Sequence, residues 1–323
     1  MTLIRLGGNK TSQTLKRSAL GGVILWLFTL LLTTSDSELA EMIHKVVFWA
    51  VLVIVPLGLS VIAPVDRIGS QLYKPVVFAQ PVAALVTIAS FFFEKGLLSA
   101  ALASAWFVLT ILIALFGLVR LTSRSSHRLE ELSIDAGLLY LPVAGVWLVI
   151  YRLGIQPFGY GEIIILLTAV HFHFAGFATP IIAGMSGRVL ASRNYPRRVF
   201  GVIVFAIVAA MPLVAAGITF SPWMAFAGAL LLTVGLVLLA VLTVGWVSAS
   251  ITSIAWRMLL VIGAISSCVA MVLACLYAYS LATQTLILTI PRMALTHGLL
   301  NAFGFVTCSL FAWSKIAPRK VEQ

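Results

Sequence analysis

The chain has 323 residues, 61% of them hydrophobic and only 10% charged, with a mean hydropathy of +1.11; no water-soluble core of this length needs that composition, which excludes a soluble globular protein. The net charge of +11 lies in short segments flanking apolar runs. Attraction to anionic inner-leaflet lipid accounts for it, and no basic domain exists to grip a nucleic-acid backbone.

In chain order, ten apolar runs have the length needed to cross roughly 30 Å of hydrocarbon: 19–35, 42–63, 75–94, 96–119, 134–151, 162–186, 199–219, 223–248, 256–282 and 293–314. The runs are continuous and do not alternate apolar with polar, so they predict helices, not barrel strands. The expected fold is an all-α polytopic membrane helix bundle of about ten transmembrane helices. It forms a single integral membrane domain over residues 1–323, with short cytoplasmic tails at 1–18 and 315–323. The first run follows a long polar N-terminus and lacks a small-x-small cleavage site, so it is expected to stay as a helix. With the N-terminus inside, 17 of the 21 Lys and Arg fall on the cytoplasmic side, and Lys45, Lys95, Arg152 and Arg292 fall outside. The positive-inside rule therefore predicts that both termini are cytoplasmic.

No loop is long enough to hold a soluble domain, and there is no convincing internal repeat of the kind that inverted-repeat transporters show. The longest loop carries Arg124, His127 and Arg128; Glu130, Glu131 and Asp135 read as its solvated end and the start of the fifth helix. Cys268, Cys275 and Cys308 all lie inside apolar runs without a CxxC pair, which predicts packing residues and no disulfide framework.

Polar groups within the apolar runs are the candidates for chemistry, because such groups in hydrocarbon are costly unless they find partners or water. In the sixth run, Glu162 and His173 are eleven residues apart and share a helical face, whereas His171 points nearly the opposite way. An i, i+2 pair on a regular helix cannot close on one metal ion, so no metal site is expected here. In the tenth run, His297, Asn301, Gly304 and Cys308 recur at +4, +7 and +11, a face of two hydrogen-bonding groups followed by small residues suited to close packing. Gln80, Thr87 and Glu94 form a similar seam in the third run. At a rise of 1.5 Å per residue, His171, His173 and Asn301 lie about 13 to 17 Å from the outer ends of their helices, with Arg152, Glu162 and Arg292 at the outer rim. A polar cavity entered from the outer half is the simplest common home for these residues.

The segments Thr168-Ala-Val-His171-Phe-His173-Phe-Ala-Gly176-Phe and Thr296-His297-Gly298-Leu-Leu-Asn301-Ala-Phe-Gly304-Phe resemble the two signature segments of the YndJ-like family of bacterial integral membrane proteins. The resemblance implies a multi-span protein of the bacterial inner or plasma membrane and points to the same His and Asn residues. It carries no reaction with it.

The expected function is a metal-independent membrane enzyme doing acid–base chemistry, such as isomerisation, cyclisation or epoxide opening, on an apolar isoprenoid, polyketide or lipid. His171, His173 and His297 are its proton carriers, and Asn301 and Gln80 orient substrate oxygen. Glu162, about 16 Å from His173 along the helix axis, is a partner for His173 only where the helix bends or water bridges the gap, not by direct contact. Gln80, Arg152 and Arg292 contact substrate. The partners are membrane lipid and a hydrophobic small molecule; no cofactor, metal or nucleic acid is expected. The rival readings are a proton-coupled transporter or exporter of an apolar or amphiphilic compound and, third, a metal- or haem-dependent membrane enzyme.

Overall fold

The computed structural model describes residues 8–316 apart from Val65, Asn194 and Pro196. The expected cytoplasmic tails therefore fall largely outside the described residues, at 1–7 and 317–323; residues 8–18 are already helical. Ten long helices follow: α1 (Gly8–Thr29), α2 (Glu38–Ser60), α3 (Arg67–Ser90), α4 (Leu97–Thr122), α5 (Leu129–Leu153), α6 (Glu162–Ala191), α7 (Arg197–Phe220), α8 (Pro222–Ser250), α9 (Ile254–Ala282) and α10 (Ile290–Lys315). Nine of them, α2 to α10, are long and apolar enough to cross a membrane. Among the described residues there is no strand. The chain is thus a multi-span helical membrane protein, as its composition demands.

The helices group into two compact units. One comprises residues up to His127 with Asp135–Ala178; the other comprises Arg128–Ile134 with the chain from Thr179 onward. In the first, α1 packs on α2 and α3 on α4; in the second, α7, α8 and α9 pack in sequence and α9 on α10.

Local irregularities in the helices follow from proline and glycine. Pro56 in α2 has no N–H to donate, and the turn before it widens to a π-helix over Ala50–Ile54. The Val51 carbonyl there takes its hydrogen bond from the Gln80 side-chain Nε2, at 2.8 Å. A Cβ on Gly22 would lie 2.2 Å from the neighbouring Leu52 carbonyl oxygen, so glycine alone lets α1 approach this turn. Four other π-helical stretches lie at Phe172–Ala178 ahead of Pro180, Thr243–Val247, Ala294–Gly298 and Leu300–Thr307. In α10, a Cβ on Gly304 would meet Ser266 Oγ at 2.5 Å, and in α9 one on Gly263 would meet Ser309 Oγ at 2.5 Å. The small-residue face expected on α10 therefore does bring a neighbouring helix close.

The acidic residues near the start of α5 are ion-paired, and two of them, Glu130 and Asp135, are buried. Asp135 is buried and accepts from Arg120 Nε at 3.0 Å, with Arg124 as its second ionic partner. Glu131 accepts two hydrogen bonds from Arg188, Nε at 2.6 Å and Nη2 at 2.9 Å. Glu130 is buried beside Arg128. Sequence position at a loop end suggested water; arginine partners take its place.

Candidate functional site

Histidine 173 sits in the π-helical stretch of α6 and is fully buried. A backbone carbonyl can only accept, so its contact with Ala169 O at 2.8 Å places the proton on Nδ1. The Trp106 indole N–H, which can only donate, then meets the Nε2 lone pair at 2.9 Å, and the two rings stack. Both nitrogens of His173 are therefore used inside the first unit, in one neutral tautomer. Glu162 is not among its partners; it forms an ion pair with Lys95 at 2.6 Å at the far end of the helix.

His171, two residues earlier, is exposed, as an offset of two on a helix requires. Its Nδ1–H donates to Leu167 O at 2.7 Å. His297 in the second unit repeats this polarity, its Nδ1–H donating across to Ala270 O on α9 at 2.8 Å. Asn301, one turn on, places its amide nitrogen 3.3 Å from His297 Nε2 and donates to the His297 carbonyl at 3.1 Å. No hydrogen bond reaches the Asn301 side-chain oxygen among the described residues, and both side chains are half-buried. All three histidines thus direct Nδ1 to a backbone carbonyl oxygen. Fixing one ring nitrogen in this way sets which nitrogen acts as the base.

The remaining expected site residues have their own places. Gln80 is fully buried and ties three helices together, donating to Val51 O and accepting from Ser18 Oγ at 2.8 Å. Arg152 is buried, with Nη2 donating to Ser90 O at 2.8 Å and to Phe93 O at 2.5 Å and its guanidinium 5.0 Å from the Phe91 ring centre. Arg292 is exposed at the start of α10. The first unit thus holds His171, His173, Glu162, Gln80 and Arg152, and the second holds His297, Asn301 and Arg292.

The model of the YndJ-like protein family matches residues 45–305 of the chain. The chain belongs to the YndJ-like family. It is 30% identical over 233 residues to a protein of Bacillus subtilis (strain 168) described as an uncharacterized membrane protein YndJ; the aligned region is 72% of this chain and 41% of that protein. The chain thus spans about two fifths of the length of the curated relative it matches. No solved structure matches. The family match takes in both signature segments and every site residue expected from sequence, from Gln80 to Asn301.

Two partners that define this family member's polar groups escaped the sequence reading. Trp106 looked like one more apolar residue of α4, and only its indole N–H marks it as a hydrogen-bond donor. His44, near the start of α2 and just outside the matched residues, is buried against Tyr151 and Thr34, 107 and 10 residues away. It lies beside Lys45 at the polar start of the helix; an ionisable ring in the first turns of an apolar helix was the available signal.

Proposed function

We propose that the protein is a membrane-embedded enzyme that performs acid–base chemistry on an apolar substrate of isoprenoid, polyketide or lipid type. The observation that carries this reading is the polarity of His297: its Nδ1–H is held by Ala270 O, so Nε2 is the basic nitrogen, and it lies on a half-buried face beside the Asn301 amide. In this reading Nε2 takes a proton from the substrate, Asn301 orients a substrate oxygen, and the resulting imidazolium returns the proton elsewhere on the same molecule. An isomerisation, a cyclisation or an intramolecular epoxide opening needs that exchange alone; in hydrolytic opening one water loses its proton to Nε2 and bonds to carbon as the epoxide C–O bond breaks and the epoxide oxygen takes up the proton. His171, held in the same polarity, is the second base. His173 is a positioning residue, since Trp106 occupies its acceptor nitrogen.

The test is incubation of purified protein in detergent with a bacterial total-lipid extract, followed by mass spectrometry of the products. Conversion of a component without change of elemental composition, or with addition of water, abolished in His297→Ala, is the expected result. A requirement for sealed vesicles and a proton gradient would replace this reading with transport. Reversible arrest by a chelator would replace it with metal-dependent chemistry.

A further inference from the structure

One end of the first unit carries the loops 30–37, 91–96 and 154–161, and beneath them lies a hydrogen-bonded chain that the reading above does not use. Thr34 Oγ1 is 2.7 Å from Glu41 Oε2, and a carboxylate can only accept, so the single hydroxyl proton of Thr34 points to Glu41. The same Thr34 oxygen is 2.8 Å from His44 Nδ1, which must then be the donor. His44 Nε2 is left with the lone pair and accepts from the Tyr151 hydroxyl at 2.7 Å. Every link has a defined direction: Tyr151 O–H to His44, His44 N–H to Thr34, Thr34 O–H to Glu41.

The two ends differ in kind. Tyr151 and His44 are 4% and 1% exposed. Glu41 reaches the surface, its side chain 22% exposed and paired with Lys45 at 2.5 Å. Tyr151 faces two cations: Lys95 Nζ is 4.4 Å and the Arg152 guanidinium 5.9 Å from its ring centre. Lys95 is balanced by Glu162, but Arg152 makes no ion pair among the described residues and its Nε has no hydrogen-bond partner. A buried cation favours an anion beside it, here a phenolate, and offsets part of the cost of burying that charge.

We propose that Tyr151, His44, Thr34 and Glu41 form a proton relay, with the Tyr151 hydroxyl as a second acid–base centre that exports its proton to the surface through Glu41. When Tyr151 loses its proton to His44 Nε2, His44 passes its Nδ1 proton to Thr34, and Thr34 passes its own to the Glu41 carboxylate. The net change is one phenolate formed and one carboxylate protonated, with His44 and Thr34 again neutral and the surface proton lost to water. A proton-bearing group set against Tyr151 is thereby deprotonated without a charged imidazole persisting in the interior. The relay uses none of His171, His173 and His297, so it stands or falls apart from the function proposed above.

The test follows tyrosinate absorbance after a rapid jump of the detergent-solubilised protein to alkaline pH. The contribution of Tyr151 among the seven tyrosines is isolated by subtracting Tyr151→Phe. In Thr34→Val the relay is cut while side-chain shape is kept. The expected result is a Tyr151 signal slowed by at least about tenfold with an unchanged final amplitude, and a rate restored by Thr34→Ser. A Thr34→Val signal as fast as wild type overturns the proposal, as does the absence of any Tyr151 signal. If Thr34→Val does not fold, Glu41→Gln keeps an acceptor oxygen but cannot take up the proton; slowing there supports the relay, and a wild-type rate overturns it.

Discussion

His173 in the first unit and His297 in the second have the same tautomer and the same kind of backbone acceptor, yet opposite fates. The Nε2 of His173 is met by an indole N–H in a fully buried, stacked contact, and nothing remains for chemistry. The Nε2 of His297 meets an amide on its own helix, on a half-buried face. The lesson is that the surroundings of the second nitrogen separate the two imidazoles: a buried indole N–H in one case, a half-buried amide in the other. An imidazole locked in a buried, stacked contact is a packing element, and removing it should damage stability; one on a half-buried face should be dispensable to the fold and, in the proposed function, indispensable to turnover.

The largest effect that could break this contrast is on catalysis. His297→Ala and His171→Ala are each expected to lower turnover about 10²- to 10⁴-fold, the usual contribution of one positioned acid–base group. Thermal unfolding in detergent should show little change for either. Loss of folding in both would place them with His173.

Close behind comes a fully paired charge in the first unit. Asp135→Ala removes the carboxylate partner of buried Arg120, and breaking such a pair is expected to cost about 3–5 kcal/mol. Denaturant unfolding would register that loss, and a variant as stable as wild type would deny that the interior charges depend on each other.

His173→Ala should cost about 1–3 kcal/mol from the orphaned Trp106 N–H alone, beyond the cavity it leaves. Trp106→Phe removes that donor. A double-mutant cycle should therefore find the pair coupled by about 0.5–3 kcal/mol, whereas additive losses would mean the indole contact contributes nothing.

The smallest effect is at the surface. Asp66 caps α3 by accepting from Gly69 N–H at 2.6 Å, and the Ser123 hydroxyl, followed by that N–H, holds its carboxyl below the usual carboxylate range. Asp66→Ala is expected to cost about 1 kcal/mol. Because the folded-state value is depressed, the stabilisation is present above the unfolded carboxylate value of about 3.9 and is lost as pH falls through the folded value. The difference between Asp66→Ala and wild type should accordingly shrink in acid.

Particular residues show what was legible in sequence and what was not. The ends of the apolar runs agree with α2 to α10 to within a few residues for most helices, because hydrocarbon thickness sets a length that composition reveals directly. The first helix starts earlier than its apolar run, at Gly8, since polar residues 8–18 continue the same helix. The i, i+4 pair of His297 and Asn301 was visible as spacing. The π-helical turns were not, although Pro56 and Pro180 marked two of them. Asp135 looked solvated because its partners Arg120 and Arg124 lie across a loop. Tyr151 and His44 meet across 107 residues, a pairing that no periodicity encodes.

Nitrogen NMR of protein labelled in the histidine rings reads the state of the imidazoles without any substrate. With signals assigned by His→Gln variants at neutral pH, His171, His173 and His297 should all be neutral with the proton on Nδ1. An Nε2–H tautomer at His171 or His297 would contradict the proposed function, since Nε2 would then be a donor and could not serve as the base.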